Sequence, residues 1–297
     1  MNAESALKEK KTVALASVLA AIFLTGSKAV IGILTGSLGI LAEALHSGLD
    51  LLAALITYFS VRISDRPADR DHHFGHGKVE NLSALVETVL LLITCAWIIY
   101  EAMHRLLTGR VHIEVTYWSY IVVVASIVID FTRSRALMKA AKKHNSQALE
   151  ADAIHFSTDI WSSAVVLIGL ISANFGWHYA DSIAALLVAV IVIYVCFRLG
   201  RRAISVLLDS VPEGMLETIY ETARRIPEIA KVHDVRIRNA GADIFVDMCI
   251  HVDRTLTIDQ AHAISHRLED ELHRKIKRCH VHVHEEPQID DGPEMNH

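Results

Sequence analysis

The chain has 297 residues, 52% of them hydrophobic and 21% charged, with 29 Lys and Arg against 34 Asp and Glu for a net charge of −5. A mean hydropathy of +0.33 is too high for an ordinary soluble protein of this length, and the acidic balance offers no electrostatic footprint for nucleic acid. A disordered chain and a disulfide scaffold are excluded as well; what composition leaves unexplained is a set of 18 histidines.

The first eleven residues are polar and lead into a long apolar run. No small-residue cleavage site follows a short hydrophobic stretch, so the first span is read as retained. Six apolar segments of roughly membrane-spanning length follow one another, at 13–34, 38–63, 82–103, 117–138, 148–175 and 182–199. Lys8, Lys10 and Lys11 precede the first segment, and Arg62, Arg66, Arg70 and Lys78 follow the second. Arg133, Arg135, Lys139, Lys142 and Lys143 close the fourth, and Arg198, Arg201 and Arg202 the sixth. The opposite side carries only Arg105 and Arg110. By the positive-inside rule both termini are expected in the cytoplasm.

Beyond residue 208 the pattern changes. An amphipathic helix is expected over 213–225, and alternating strands over 231–238 and 243–252. Thr257 with Gln260 three residues later forms a capping-box signal for a helix running to about 276, and 279–284 alternates again. The expected architecture is a membrane all-α six-helix bundle over 1–208, then a cytosolic two-layer α+β domain of order α-β-β-α-β over 209–287. A polar, flexible tail is expected over 288–297.

Cys95, Cys196, Cys249 and Cys279 stand singly, with no Cys-x-x-Cys pair, which argues against a zinc finger, a redox motif or a soft copper(I) site. The second span contains Glu43-Ala-Leu-His46-Ser-Gly-Leu-Asp50 and the fifth His155-Phe-Ser-Thr-Asp159. Each His–Asp pair is spaced i, i+4, so both side chains lie on one helix face. Ionisable groups in a membrane are costly and face a cavity or each other. Two such helices face to face offer two imidazoles and two carboxylates, a donor set that suits zinc. A lone pair of this kind reads equally as a helix-stabilising hydrogen bond; its repetition on a second span is what points to metal.

Paired His-x-x-x-Asp motifs on the second and fifth of six spans resemble the cation diffusion facilitator family. The segment Pro67-Ala-Asp69-Arg-Asp71-His72-His73-Phe-Gly75-His76-Gly77-Lys78 is similar to the histidine-containing loop of a bacterial zinc/iron efflux member. The resemblance covers nearly the whole chain. It implies a homodimer with a ferredoxin-like cytosolic domain that exports a divalent transition metal against protons across the cytoplasmic (inner) membrane. It places an intramembrane transport site at His46, Asp50, His155 and Asp159, and a loop site at Asp69, His72 and His76. Regulatory zinc between the two cytosolic domains would fall to His233, His251, His262, His284 and Glu286, and a charged interlock to Lys78 and Asp209. The best-known bacterial branch has Asp where this chain has His46, and the compared member has Asp where Glu286 stands. Manganese-type members lack both imidazoles, so Zn2+ is the expected substrate and regulatory ion, with Cd2+, Co2+ and Fe2+ as alternatives.

Several polar residues outside these motifs carry expectations of their own. Lys28 is expected to line a cavity, Glu43 to act at most as an accessory at the exit, and Asp130 to pair with a nearby base. His280, His282 and His284 alternate with valines and share one strand face. The loop histidines read either as ligands or as a polar hinge. Metal and proton compete for neutral imidazole nitrogen, which suits antiport. Membrane lipid, Zn2+ and protons are the expected partners, with no nucleotide, since no phosphate-binding loop occurs. An intramembrane zinc metalloenzyme is disfavoured by the lack of His-Glu-x-x-His and by four protein ligands that leave no open position. A membrane-bound metal sensor leaves the intramembrane pairs without purpose.

Overall fold

The computed structural model describes residues 3–35, 38–108, 117–174 and 180–288. Six long helices come first: α1 (Ala3–Thr35), α2 (Leu38–Ser64), α3 (Val79–Thr108), α4 (Tyr117–His144), α5 (Gln147–Asn174) and α6 (Ala180–Leu207). Each expected apolar segment falls within one helix so far as it is described, and most of the helices outrun their segments. α4 continues from 138 to His144 through Lys139-Ala-Ala-Lys142-Lys143, good helix formers that hydropathy does not register as part of a span. Among the described residues, Ser5–Leu34, Ala44–Ser64 and Val79–His104 are long and apolar enough to cross a membrane. The expected tail beyond 288, the connection between α3 and α4, and the side chain of Glu43 lie outside the described residues.

The contacts divide the chain into two compact units, Met1–Ile204 and Ser205–His297. In the first, α1 packs on α2 and α4 on α5, and the two hairpins meet through α1 with α4 and α2 with α5. Their shared core is built largely from alanines: Ala14, Ala21, Ala54, Ala140, Ala141, Ala148 and Ala153, with Phe156 and Leu149 as the large members. Small residues let helix backbones approach closely, the main source of packing energy where lipid tails are as apolar as the side chains. α3 packs on α2 and α5, and α6 on α3 through Leu91, Cys95, Ala189, Val192 and Cys196. A Cβ at Gly200 would stand 3.3 Å from Thr88 Cγ2, so glycine permits that approach. Leu187, Val190, Tyr194 and Phe197 on α6 are exposed, as befits a lipid-facing surface.

In the second unit, α7 (Met215–Ala223) precedes β1 (Lys231–Ala240), β2 (Asp243–Val252), α8 (Ile258–Lys275) and β3 (Cys279–Pro287). β1 and β2 pair antiparallel, while β2 and β3 pair parallel after the α8 crossover, for a sheet order β1-β2-β3. This is the expected α-β-β-α-β order. Val246, Met248 and Ile250 point to the helix layer and pack with Ile264, Leu268 and Leu272 of α8. The capping box forms: the Thr257 side chain accepts from the Gln260 backbone N–H, and the Gln260 side chain accepts from the Thr257 N–H at 2.9 Å. That reciprocal bonding starts α8 at the residue the sequence signals.

Candidate metal centre

α2 and α5 touch, and their contact carries the two His–Asp pairs. His46 Nε2 stands 4.0 Å from Asp50 Oδ1 and 3.8 Å from Asp159 Oδ1. His155 Nε2 stands 3.2 Å from Asp50 Oδ1 and 3.6 Å from Asp159 Oδ2. Each imidazole therefore faces a carboxylate of its own helix and one of the other. In a tetrahedral zinc site with bonds of about 2.0–2.1 Å, neighbouring donors are roughly 3.3 Å apart. The observed separations close to that value with shifts of a few tenths of an ångström. The side chains of Asp50 and Asp159 are 13% exposed, His155 3% and His46 32%, so access lies on the His46 side. Asp159 Oδ2 is buried with no hydrogen-bond partner among the described residues, a demand that a cation meets.

Around this set lies a polar lining on which the motifs are silent. Asp152 on α5, fully buried, accepts from Ser17 Oγ of α1 at 3.3 Å. Arg133 on α4 donates to Ser17 Oγ at 3.1 Å and to Asp130 Oδ1 at 3.2 Å, while its guanidinium lies 3.5 Å from the Phe156 ring centroid. Glu87 on α3 is fully buried and accepts from Thr57 and Ser83. Lys28, 5% exposed, donates to Ser47 Oγ at 2.8 Å. Asp130 thus pairs with a base on its own helix, as expected. Asp152 and Glu87 were legible only as lone acids inside apolar helices, the signal that marks intramembrane function. At the end of the bundle where α2 gives way to α3, Lys10 bridges Asp65 at 2.8 Å and Glu80 at 3.1 Å, both largely buried.

The loop between α2 and α3 folds around Asp69. Its carboxylate accepts from the backbone N–H of His72 at 2.7 Å and of Asp71 at 3.0 Å. It also lies 3.3 Å from His72 Nδ1 and 3.5 Å from His76 Nε2. The His72 backbone bond is foremost in holding the Asp69 carboxyl below its ordinary range. Gly75 turns the loop at φ 73°, a left-handed conformation that a side chain would strain. Asp69, His72 and His76 come together, whereas the His73 ring turns to the Arg70 carbonyl.

In the C-terminal domain the face opposite α8 gathers a second set. His233 of β1, His251 of β2 and Glu286 of β3 meet with Nε2–Nε2 3.0 Å, and Glu286 Oε2 lies 3.2 and 3.1 Å from the two rings. His284 reaches Glu286 Oε1 at 3.7 Å. His262 stands on α8 with its ring against His266 at 4.4 Å between centroids, on the helix layer. Glu285, alternating with Glu286, turns to α8 and accepts from Ser265 at 2.5 Å. His280, His282 and His284 are all exposed, on one strand face, and His280 stacks on Phe245 at 4.8 Å. Burial, with the nearby charges of Glu286 and Asp234, pushes the Cys249 thiol up, so beside His233 it stands as a protonated thiol.

Residues 14–208 match the family model "Cation efflux transmembrane domain", and residues 211–288 match "Cation efflux protein, cytoplasmic domain". The chain is 30% identical over 273 residues to a Shewanella oneidensis protein named "Cation-efflux pump FieF", with 92% of each chain covered. It is 31% identical over 260 residues to the "Magnetosome protein MamB" of a Magnetospira species, covering 87% of each. Among solved structures, a variant of the MamM CTD in nickel form is 34% identical, covering 26% of this chain and all of that one, with a TM-score of 0.25. Members of this family are transporters, not enzymes, and their cytoplasmic domains dimerise. Two family domains in series over nearly the full length leave one assignment: the chain belongs to the cation efflux, or cation diffusion facilitator, family of membrane metal transporters.

Proposed function

We propose that this cation efflux transporter exports a divalent transition metal, Zn2+ foremost, from the cytoplasm in exchange for protons. It would act as a homodimer in the cytoplasmic (inner) membrane with both termini cytoplasmic. The observation that carries the reading is the convergence of His46, Asp50, His155 and Asp159 from two facing helices. Two neutral imidazoles and two carboxylates form a borderline donor set that favours zinc over the harder manganese. Cd2+, Co2+ and Fe2+ share enough of that preference to be secondary substrates.

Exchange follows from the same donors. Imidazole binds metal only when neutral and titrates near 6.5 in water, so protons and Zn2+ displace one another from His46 and His155. Opened to the cytoplasm, the site loads metal and sheds protons; opened to a more acidic exterior, it takes up protons and sheds metal. Rocking of helices about a site between them supplies the alternation. Asp152, Arg133 and Asp130 hold α1, α4 and α5 in register beside the site, and Lys28 adds a fixed positive charge near it.

The cluster of His233, His251 and Glu286, with His284 beside it and His262 contributed from the helix layer, is the regulatory station. Zn2+ bound there would tighten the dimer as cytosolic zinc rises and raise transport by linkage. Asp69, His72 and His76 form a third, more exposed station near the entry.

The test is zinc flux in proteoliposomes of the full chain under imposed pH gradients, across a panel of Zn2+, Cd2+, Co2+, Fe2+ and Mn2+. Expected is Zn2+ movement opposite to the proton gradient, lost when the gradient is collapsed. Flux indifferent to the gradient would overturn the antiport; Mn2+ carried better than Zn2+ would overturn the metal assignment.

A further inference from the structure

The membrane domain holds a cavity of about 1230 Å³ between α4, α5 and α6. That exceeds the ~300–1,000 Å³ of a typical small-molecule pocket. Its walls are apolar, with Phe131, Met138, Ile154, Trp161, Ile191 and Val195 among them. One end is different: Arg135, Lys139 and Lys142 at the close of α4 and Arg198 and Arg202 at the close of α6 line the same cavity. All five are exposed. Glu150 is the one acid on the lining, and Arg202 binds it at 2.8 and 2.9 Å. Four basic side chains on this rim therefore have no carboxylate partner among the described residues.

We propose that this cavity is a binding site for one anionic phospholipid, its phosphate held by Arg135, Lys139 and Arg198 and its acyl chains laid along Trp161 and Ile191. The division of the lining is the argument. A long apolar trough closed at one end by unpaired cations has the polarity of a phospholipid, and basic pockets between membrane helices are recognised by anionic headgroups. A free phosphate would use the rim and leave the trough bare. A second copy of the chain seated on the trough about a twofold axis would set one cationic rim near another, which like-charge repulsion opposes. Lipid in this place would wedge α6 apart from α4 and α5, the helices across which the bundle has its widest gap. It would thereby bias any motion of α5, which carries His155 and Asp159. The proposal rests on membrane placement, which family membership gives, and not on which ion is carried.

Trp161 provides a reporter. It is 64% exposed and lines the trough, eleven residues from Glu150, so about 16 Å along the helix from the rim. The full chain carrying Trp97→Phe, Trp118→Phe and Trp177→Phe is reconstituted in phosphatidylcholine vesicles. These contain phosphatidylglycerol or phosphatidylcholine brominated in mid-chain, at equal mole fraction. Each engaged rim charge is worth roughly fivefold in binding. Trp161 is expected to be quenched by the anionic lipid at about tenfold lower mole fraction or better. Arg135→Gln, Lys139→Gln and Arg198→Gln together should bring the two lipids level, with Lys139→Gln alone in between. Unchanged quenching by phosphatidylcholine certifies that each variant has folded and inserted. Equal quenching of the parent by both lipids would overturn the site as nothing beyond bulk bilayer. Quenching by neither would overturn it in favour of a protein cover, a second copy included. A preference that survives the triple change would overturn the assigned rim.

Discussion

In the membrane domain four donors hang in pairs one helical turn apart, from two helices packed so that His155 is 3% and both aspartates 13% exposed. In the C-terminal domain His233, His251 and Glu286 come one from each of three adjacent strands, at 29, 16 and 38% exposure. The helical set sits among fully buried neighbours, Asp152 and Glu87 included; the sheet set lies on an open face that α8 does not cover. The contrast is of task. An ion in the first place is shut from water and leaves only when helices part. An ion in the second exchanges with solvent and reports its concentration. Burial also sets the penalty for damage, because removing one partner of a buried charged group strands the others.

The largest effect is therefore expected in the helices. Asp50→Ala or Asp159→Ala should reduce proton-driven zinc flux in proteoliposomes to that of empty vesicles, while the purified protein keeps its helical circular dichroism. Retention of flux in either variant would place the transport site elsewhere. Glu286→Ala tests the opposite pole. Metal affinity of the C-terminal cluster, read by calorimetry on the full chain, should fall by at least the ~10–100-fold that loss of even an outer-shell partner costs. Flux at saturating zinc should persist. If Glu286→Ala silenced transport as fully as Asp50→Ala, the division of labour between the two regions would be wrong.

How much of this was legible in the sequence follows from geometry. His46 and Asp50, or His155 and Asp159, are read as neighbours because a helix fixes i and i+4 on one face. Their meeting across α2 and α5 needs only two such faces that must both avoid lipid. The capping box of Thr257 and Gln260 was legible for the same reason, being local. The exchange of bonds among Asp152, Ser17, Arg133 and Asp130 was not. It joins α1, α4 and α5 over more than a hundred residues, and no local spacing announces it. The cross-strand triad is intermediate. Alternation placed His251 and His284 on faces, but the pairing of His251 with Glu286 depends on the parallel register set by the α8 crossover. His262 shows the same limit from the other side: its sequence pattern groups it with the imidazoles, and α8 carries it to the opposite layer.

Selectivity offers a finer probe of the helical pole. His46→Asp exchanges a borderline nitrogen for a hard oxygen on the most exposed member of the set. The expected outcome is a shift of roughly tenfold, about 1.4 kcal/mol, in the zinc-to-cadmium flux ratio toward cadmium, with both ions still carried. An unchanged ratio would mean that His155 alone sets preference. On the sheet side, Thr257→Ala removes the N-cap oxygen of α8 and should cost about 0.5–2 kcal/mol, seen as a lower melting temperature of the C-terminal domain's transition. Zinc, added to saturation, should recover part of that loss if the triad binds only the folded sheet.

The loop at Asp69 lies between the two poles, and the smallest effect is expected there. Its carboxylate is about half exposed, yet the His72 and Asp71 N–H groups hold its pKa below the ordinary aspartate value. A carboxyl lowered in the folded state contributes its full share above the unfolded value, near 3.9. It loses that share only as pH falls through the lower folded value. Loop order should therefore be flat from neutrality down to about pH 4 and decline below it. Asp69→Asn keeps an acceptor for the His72 N–H but removes the charge, so its loop should begin to loosen at no particular pH in that range. Proton exchange at the amides of His72 and Asp71 measures this directly: slower exchange in the parent than in Asp69→Asn at pH 5, converging near pH 3, is the expected pattern. Metal sharpens the result. If Asp69, His72 and His76 bind zinc, adding it at pH 7 should protect those amides further in the parent and hardly at all in Asp69→Asn. If zinc leaves both alike, the loop is a polar hinge held by one carboxylate, and the two stations on either side of it carry the metal alone.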